Sequence, residues 1–361
     1  MTNVPKTMKA MVLTDHGSME RYEWRMDWPV PIPGDDEVLI RIRACGLNNT
    51  DVNTRIGWYS KAVTGATDGV AEGVAGTDAA SWGGKAIEFP RIQGADAVGI
   101  VVAAGDKADP ELLGKRVMVD GWLRDWNDPC NLERAGYFGS EADGGFAEFA
   151  KIHWRNVRAV TSDLSDAELA TFSCSYSTAE GMLSRAGVTA DDTVLVPGAS
   201  GGVGGALIQL SKRRGARVVA LASESKHEEV AKLGPDMLLP RSPENLDAVL
   251  GSEKVTVAAD VVGGPIWPQI IGAIQRGGRY VCSGAIAGPV VPFDLRTLYL
   301  RDLTFFGSTV APPDVLPNIV GYIERGEVKP VVAAIYPLSE LREAQQAFLD
   351  KSKAGNIVVV A

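Results

Sequence analysis

The stretch Asp192–Ser225 reads DTVLVPGASGGVGGALIQLSKRRGARVVALASES. It begins with an apolar, β-branched run at 193–196, which is typical of a buried parallel strand. A glycine-dense turn follows over 198–205, then a helical pattern that stops at Gly215, then a second apolar run over 217–221. This order of strand, tight turn, helix and strand predicts one βαβ unit of the length that dinucleotide binding requires.

Three glycines at every third position suit the turn to a phosphate ligand. Gly198 allows a sharp turn out of the strand, Gly201 lets the backbone approach a pyrophosphate, and Gly204 lets the helix pack closely on the sheet. The helix N-terminus presents free N–H groups and the positive end of its dipole. The residues predicted to bind the cofactor here are Gly198, Ala199, Ser200, Gly201, Gly202 and Val203. A glycine-rich loop without a ligand is the alternative interpretation.

The composition indicates a globular protein of two domains. The 361 residues exceed one ordinary core, and the 45% hydrophobic and 22% charged residues are normal for a soluble protein. The net charge of −9 offers no electrostatic basis for binding nucleic acid or an anionic membrane. The four cysteines are far apart in the sequence, as is usual for reduced thiols. We therefore expect a cytoplasmic protein without nucleic-acid or membrane partners.

The strand and helix patterns differ between two regions of the chain. Before residue 160 they are mainly those of antiparallel strands, such as the period-two run at 37–43. A stretch rich in Gly, Ala and Thr at 61–85 predicts a long loop, either a lid over the site or an insertion. From Leu164 onward strands and helices alternate, which predicts a parallel, doubly wound sheet of about six strands.

Motifs along almost the whole chain resemble those of the medium-chain dehydrogenase/reductase superfamily. They are GLNNTD (46–51), GADAVGIVVAAG (94–105), CSYSTAEGML (174–183), the Asp192–Ser225 stretch and AADVVGG (258–264). The resemblance implies an α/β fold in which a GroES-like, β-rich catalytic domain surrounds a doubly wound Rossmann domain. The catalytic domain would be discontinuous, over 1–160 and 312–361, with the Rossmann domain at 161–311. The active site would lie in the cleft between them.

Zinc-dependent members of this superfamily have three ligand positions, which the resemblance places at Asn48, Ala95 and Cys174. Catalytic zinc needs three N, O or S ligands from the protein and one open position, which Asn48 and Ala95 do not provide. The closely spaced cysteines of the family's structural-zinc lobe are also missing, since Cys130 stands alone. We therefore predict no metal. A makeshift Asp96–Cys174 site is the alternative.

Without zinc, the chain resembles the quinone oxidoreductase and enone reductase branch, in which a Gly-x-Asn-x-x-Asp turn precedes Gly-x-Tyr. The resemblance implies hydride transfer from a nicotinamide to a small electrophile, either a quinone or an α,β-unsaturated carbonyl. Negative charge then develops on the carbonyl oxygen, and a neutral donor must stabilise it. The candidate catalytic donors are Asn48, Thr50 and Tyr59, and the amide of Asn48 is expected to point into the cleft. Capping or a pocket-wall role is the alternative for each.

The end of the second strand of the βαβ unit indicates the choice of cofactor. NAD-specific sites carry an acid there that binds the ribose diol, but the family's acid position is Leu221. Ser223 and Lys226 match the pattern that binds the 2′-phosphate in the quinone reductase branch, whereas Glu224 would repel a phosphate. We predict NADPH, with NADH as the less favoured cofactor.

Later strand ends complete the predicted site, because these ends line the ligand crevice of such a sheet. The resemblance places three residues there beside the nicotinamide and ribose: Val262, Ser283 and Gly284. The family also implies a homodimer, for which the edge strand at 303–306 is a candidate. Two other functions stay open: an alcohol dehydrogenase with a degenerate zinc site, and a non-catalytic NADPH-binding protein.

Overall fold

The computed structural model describes residues 4–67 and 86–361. Of the loop predicted over 61–85, residues 68–85 therefore lie outside the described ranges. The strands before residue 160 are β1 (Thr7–Leu13), β2 (Tyr22–Pro29), β3 (Glu37–Gly46), β4 (Arg91–Ile92), β5 (Asp96–Ala104), β6 (Arg116–Val119), β7 (Trp122–Leu123), β8 (Gly136–Tyr137), β9 (Phe149–His153) and β10 (Val157–Ala159).

The later strands are β11 (Thr193–Val196), β12 (Arg217–Ala222), β13 (Met237–Pro240), β14 (Val255–Asp260), β15 (Ile274–Cys282), β16 (Thr304–Gly307), β17 (Val332–Pro337) and β18 (Asn356–Val360). The helices are α1 (Asn49–Ile56), α2 (Asp166–Leu169), α3 (Ser173–Arg185), α4 (Gly202–Arg213), α5 (His227–Ala231), α6 (Leu246–Leu250), α7 (Trp267–Ala273), α8 (Leu295–Leu300), α9 (Val315–Glu324) and α10 (Leu341–Asp350).

Six parallel strands form one sheet in the order β13-β12-β11-β14-β15-β16. The predicted parallel sheet is thus confirmed, and β11, α4 and β12 are the predicted βαβ unit. Val194 and Val196 of β11 are buried on one face in the cluster that includes α3 and α4, and Leu195 is buried on the other face with α7. Strand order reverses between β11 and β14, so a crevice is expected at the carboxyl ends of these two strands.

A seven-stranded sheet gathers strands from both ends of the chain. Its order is β10-β6-β5-β3-β18-β17, and β9 also pairs with β3. In this sheet β18 lies antiparallel to β3, with Val358 opposite Gly46. A β-rich region beside a doubly wound parallel sheet confirms the predicted α/β fold class, whereas the domain boundaries near 160 and 311 stay predictions.

The chain leaves β3 through Gly46 and enters α1, which lies against the carboxyl ends of the parallel strands. Gly46 has no room for a side chain, because a Cβ atom there would lie 2.1 Å from the carbonyl oxygen of Ala170. The helix ends at Gly57, whose φ of 69° is left-handed. This turn folds the chain back on α1, so that the N–H of Trp58 donates to the carbonyl of Asn53 at 2.8 Å.

Candidate active site

A cleft of about 1020 Å³ lies where α1 faces the carboxyl ends of β11, β14 and β15. Its lining brings together the three candidate catalytic residues and seven of the predicted cofactor-binding residues. They are Asn48, Thr50, Tyr59, Gly198, Gly201, Gly202, Val203, Val262, Ser283 and Gly284. The family resemblance implied a cleft between the two regions, and the structure shows that α1 is the element that lies beside this sheet edge.

A second cavity of about 1170 Å³ continues from the cleft along the same sheet edge, and the two share Gly198, Gly201 and Gly202. It contains three more of the predicted residues, namely Ser200, Ser223 and Lys226. Ala199 lines neither cavity: it is fully buried, and its N–H donates to the carbonyl of Leu221 at 3.0 Å. This backbone hydrogen bond of Ala199 therefore links the glycine-rich turn to β12.

The glycine-rich turn has the geometry that a pyrophosphate needs. Gly198 takes a left-handed φ of 66° directly after β11. A Cβ atom on Gly204 would lie 2.3 Å from the carbonyl oxygen of Gly198, so the first turn of α4 packs against the backbone of the turn. The N-cap of α4, Gly201, makes no side-chain capping bond, so a bound phosphate would satisfy the free N–H groups.

The far end of the second cavity is basic. Its lining includes Lys226, Arg241, Lys351 and Lys353 close to Ser223. Lys226 Nζ donates to the carbonyl oxygen of Lys351. Partial burial lowers the pKa of Lys226, and the nearby charges of Arg241 and Lys351 lower it further. A bound dianion would relieve this repulsion between cations, so the arrangement suits a phosphate group.

Sequence reasoning missed Arg241, Lys351 and Lys353. Arg241 follows β13, which pairs with β12, so the strand-end rule that selected Ser223 could also have found Arg241. The two lysines lie between α10 and β18, far away in sequence, and no local signal marks them. Glu224, by contrast, is exposed and lines neither cavity, so its predicted repulsion of a phosphate is weak.

Asn48 is engaged with the wall of the cleft. Its N–H donates to Asp51 Oδ2 at 2.8 Å. Its Nδ2 lies 3.4 Å from the carbonyl oxygen of Gly46 and 3.3 Å from Asp96 Oδ2. Its Oδ1 accepts a bond from Ser175 Oγ at 3.5 Å. The amide is therefore hydrogen-bonded to neighbouring groups although Asn48 also lines the cleft, and its role as a donor to the acceptor stays a prediction.

Tyr59, Thr50 and Asn53 lie together in the lining of the cleft. The phenol of Tyr59 forms hydrogen bonds with the side chains of Thr50 and Asn53, and all three residues line the cleft. Burial raises the pKa of Tyr59 to about 12, although these two hydrogen bonds lower it in part. The phenol is therefore neutral at physiological pH and can donate a proton.

The residues at the three zinc-ligand positions do not fit a catalytic zinc site. Ala95 is 2% exposed and offers only a methyl group, and the amide of Asn48 is held by Asp96. The thiol of Cys174 accepts a hydrogen bond from the hydroxyl of Tyr137 at 3.3 Å. Across residues 4–67 and 86–361, no group of three or more His, Cys, Asp or Glu is placed to hold a metal ion. Asp96 and Cys174 alone are too few ligands.

A parallel sheet with a glycine-rich turn at the start of α4, facing a helix from a β-rich region across a cleft, is the arrangement of a nicotinamide-dependent oxidoreductase. The family model "Alcohol dehydrogenase GroES-like domain" matches residues 34–162, and the model "Zinc-binding dehydrogenase" matches residues 202–325. The chain belongs to the medium-chain dehydrogenase/reductase superfamily. The resemblance in the sequence motifs is thereby confirmed.

Three similar proteins illustrate the family. A structure from Sinorhizobium meliloti 1021, provisionally named an alcohol dehydrogenase, is 43% identical with a TM-score of 0.91, covering 100% of this chain and 98% of that one. Acryloyl-coenzyme A reductase of Metallosphaera sedula is 27% identical over 98% of this chain and 99% of its own. The chloroplastic NADPH-dependent alkenal/one oxidoreductase of Arabidopsis thaliana is 27% identical over 99% of this chain and 80% of its own.

Proposed function

We propose that this protein is an NADPH-dependent reductase that transfers a hydride to a quinone or an α,β-unsaturated carbonyl without zinc. The observation that carries the proposal is the cleft that Tyr59 lines together with the predicted nicotinamide-binding residues Val262 and Ser283. Two relatives named for the reduction of acryloyl-CoA and of alkenals and enones support the same chemistry. The basic end of the second cavity supports NADPH over NADH.

In this proposal one set of residues binds the cofactor and another set transfers the proton. The turn at Gly198–Gly204 and the N-terminus of α4 hold the pyrophosphate, and the basic end of the second cavity binds the 2′-phosphate. Bound NADPH supplies the hydride. Tyr59 donates a hydrogen bond to the carbonyl oxygen of the acceptor and then its proton, so negative charge does not accumulate on that oxygen. Thr50 stabilises the phenol oxygen.

The acceptor is an uncharged molecule in this proposal. Within the described ranges, no lysine, arginine or histidine lines the cleft around Tyr59. Two buried carboxyl groups, Asp51 and Asp96, lie behind its wall at Asn48. An anionic acceptor would lose solvation there without gaining a cationic partner, whereas the cationic groups lie at the other end of the second cavity.

The test is oxidation of NADPH and NADH, side by side, by a panel of acceptors on protein dialysed against a chelator. The panel contains an uncharged enone, a quinone, an enone with a carboxylate and an acyl-CoA thioester. We expect turnover with NADPH, unchanged by the chelator, and higher kcat/KM for the two uncharged acceptors. A carboxylate should lower kcat/KM about tenfold or more, since an unpaired charge costs at least 1.4 kcal/mol in such a cleft.

Three outcomes would contradict parts of the proposal. Activity that returns only with added zinc and an alcohol would identify an alcohol dehydrogenase with an unusual metal site. Tight binding of NADPH without turnover of any acceptor would identify a binding protein. Faster turnover of the acyl-CoA thioester than of the enone would keep the reductase but refute the uncharged acceptor.

We also propose a homodimer that forms along β16, the edge of the six-stranded sheet. Four large apolar side chains near this edge are exposed by 60% or more: Val290, Leu295, Tyr299 and Leu300. Leu295→Glu with Tyr299→Glu should convert a dimer to a monomer in sedimentation velocity, because charges on an apolar interface are costly. Ile32→Glu, at an exposed apolar residue elsewhere, is the control. A wild-type monomer at micromolar concentration would refute the dimer.

Localisation and further partners are proposals as well. All four cysteines are free thiols, which supports a cytoplasmic location. The net charge of −9 supports the absence of nucleic-acid partners. In the part of the chain that the structure describes, no helix is both long enough and apolar enough to cross a membrane.

A further inference from the structure

We propose that Asp260 is a positioning residue, which fixes the loop after β14 as the wall against which the nicotinamide of the bound cofactor lies. This inference rests on the proposed function and adds a residue from outside the cleft. Asp260 is the last residue of β14, is fully buried, and lines neither the cleft nor the second cavity. Its side chain therefore acts through the backbone that follows it.

Three hydrogen-bond donors converge on the carboxylate of Asp260. The N–H of Val262 donates to Oδ1 at 2.7 Å, and the N–H of Gly263 lies 3.2 Å from both oxygens. The hydroxyl of Tyr280 donates to Oδ2 at 2.9 Å and accepts the indole N–H of Trp267 at 2.9 Å. A carboxylate is suited to this position, because both of its oxygens accept and neither donates.

The loop after β14 depends on this carboxylate for its course. Gly263 and Gly264 have left-handed φ values of 60° and 64°, so the chain turns sharply there. The turn directs the N–H groups of Val262 and Gly263 at Asp260 instead of at a neighbouring strand. Buried N–H groups without a partner are costly, so removal of the carboxylate should change the path of the loop.

The same loop supplies part of the lining of both cavities. Val262 lines the cleft and the second cavity, and a Cβ atom on Gly198 would lie 2.8 Å from its Cγ2, so Val262 packs directly against the glycine-rich turn. The carbonyl of Val262 accepts the N–H of Ala287 at 2.8 Å, and the carbonyl of Asp260 accepts the N–H of Ser283 at 3.1 Å. The segment that follows β15 is therefore held by the same loop.

This segment also reaches the chain that continues from α1. The carbonyl of Ile286 accepts the N–H of Thr67 at 3.0 Å, and Ile286 lines both cavities. A displaced loop would thus move the wall on the cofactor side relative to the residues on the acceptor side. Hydride transfer is sensitive to such movement, since a misplacement of about 1 Å can lower the rate about 10²-fold.

Removal of the carboxylate tests this role. Asp260→Ala should lower the single-turnover rate of hydride transfer from saturating NADPH about 10²-fold. The isotope effect on kcat from NADPH deuterated at the transferred position should rise, because hydride transfer becomes limiting. The affinity for 2′,5′-ADP should stay unchanged, since this fragment carries the 2′-phosphate but no nicotinamide. Asp260→Asn keeps one accepting oxygen and should restore the rate to within about fivefold of wild type.

Asp192→Ala is the matched control on the same sheet. Asp192 is 5% exposed and accepts the N–H of Thr189 at 2.9 Å and the hydroxyl of Thr256 at 2.7 Å, but it lies at the amino end of β11, opposite the cavities. Its removal should lower the Tm and leave the hydride-transfer rate within about twofold of wild type. If Asp260→Ala does not fold, Tyr280→Phe removes one donor and should lower that rate about threefold, with 2′,5′-ADP affinity unchanged.

Three outcomes would overturn the inference, and they differ in what they leave standing. An unchanged hydride-transfer rate in both Asp260 variants would refute the positioning role and keep the reductase. A loss of 2′,5′-ADP affinity in step with the loss of rate would show that Asp260 only stabilises the sheet, and it would also keep the reductase. Wild-type protein that reduces no acceptor would instead overturn the proposed function and the inference with it.

Discussion

Tyr59→Phe should lower kcat by about 10²-fold while the affinity for NADPH stays unchanged. In the proposed mechanism the phenol of Tyr59, which lines the cleft, is the neutral donor, whereas the amide hydrogens of Asn48 are directed at Asp96 and Gly46. The substitution removes one hydroxyl and keeps the ring, which lies edge-on to Trp58 with ring centroids 5.8 Å apart. Packing is therefore preserved, and the loss falls on the chemical step.

Steady-state reduction of an uncharged enone, with NADPH affinity measured by fluorescence, checks this result. Burial raises the pKa of Tyr59 to about 12, so the phenol keeps its proton across the usable pH range. A group that must be protonated loses activity only as pH rises through its pKa. Wild-type kcat should therefore show no loss from this group between pH 6 and about pH 10. Asn48→Ser serves as the comparison, and a larger loss of kcat there than in Tyr59→Phe would make Asn48 the principal donor.

Lys226→Ala combined with Arg241→Ala should lower kcat/KM for NADPH by about 10²-fold relative to NADH. In the proposed complex each cation would form a charge-assisted contact with the 2′-phosphate, and such a contact contributes about 1.5–3 kcal/mol. The two effects are expected to be less than additive, because Arg241 and Lys226 already interact. NADH lacks the phosphate, so its kcat/KM is the internal control for the fold.

The ratio of kcat/KM for the two cofactors is the quantity to measure, at two salt concentrations. Raising the salt should weaken NADPH binding by the wild type more than by the double variant, because the phosphate contacts are screened. Glu224→Ala is the matched control at the same strand end, and its exposed carboxylate should change the ratio less than twofold. An equal loss for NADPH and NADH in the double variant would show that the cations support the structure and do not recognise the phosphate.

The parts of the fold that depend on local pattern were predictable from the sequence. The βαβ unit at Asp192–Ser225 needs only an apolar run, a glycine turn and a helical period, and the alternating units after Leu164 predicted the six-stranded sheet. Family membership followed from motifs of the same local kind.

The parts that depend on contacts distant in sequence were not predictable. The orientation of the Asn48 amide is set by Asp96, on a different strand. The partnership of Asn53 with Tyr59 depends on the path of the chain after Gly57, which the sequence pattern does not specify. Lys351 reaches the cofactor cavity only because its segment runs alongside the glycine-rich turn, where Gly355 N–H donates to the carbonyl of Ser200 at 3.1 Å.

Because β18 pairs with β3, only one of the two large sheets can be excised as a single continuous piece of chain. The six parallel strands run consecutively from Thr193 to Gly307, so a single excised piece of chain contains their whole sheet. The seven-stranded sheet that leads into α1 cannot be excised in this way, because its strand β3 pairs with β18, which is distant in sequence. A fragment ending near residue 160 would leave that side of β3 open to pair with other chains and would be prone to aggregate. Transplanting the cofactor half onto another scaffold is therefore more feasible than transplanting the half that supplies Tyr59.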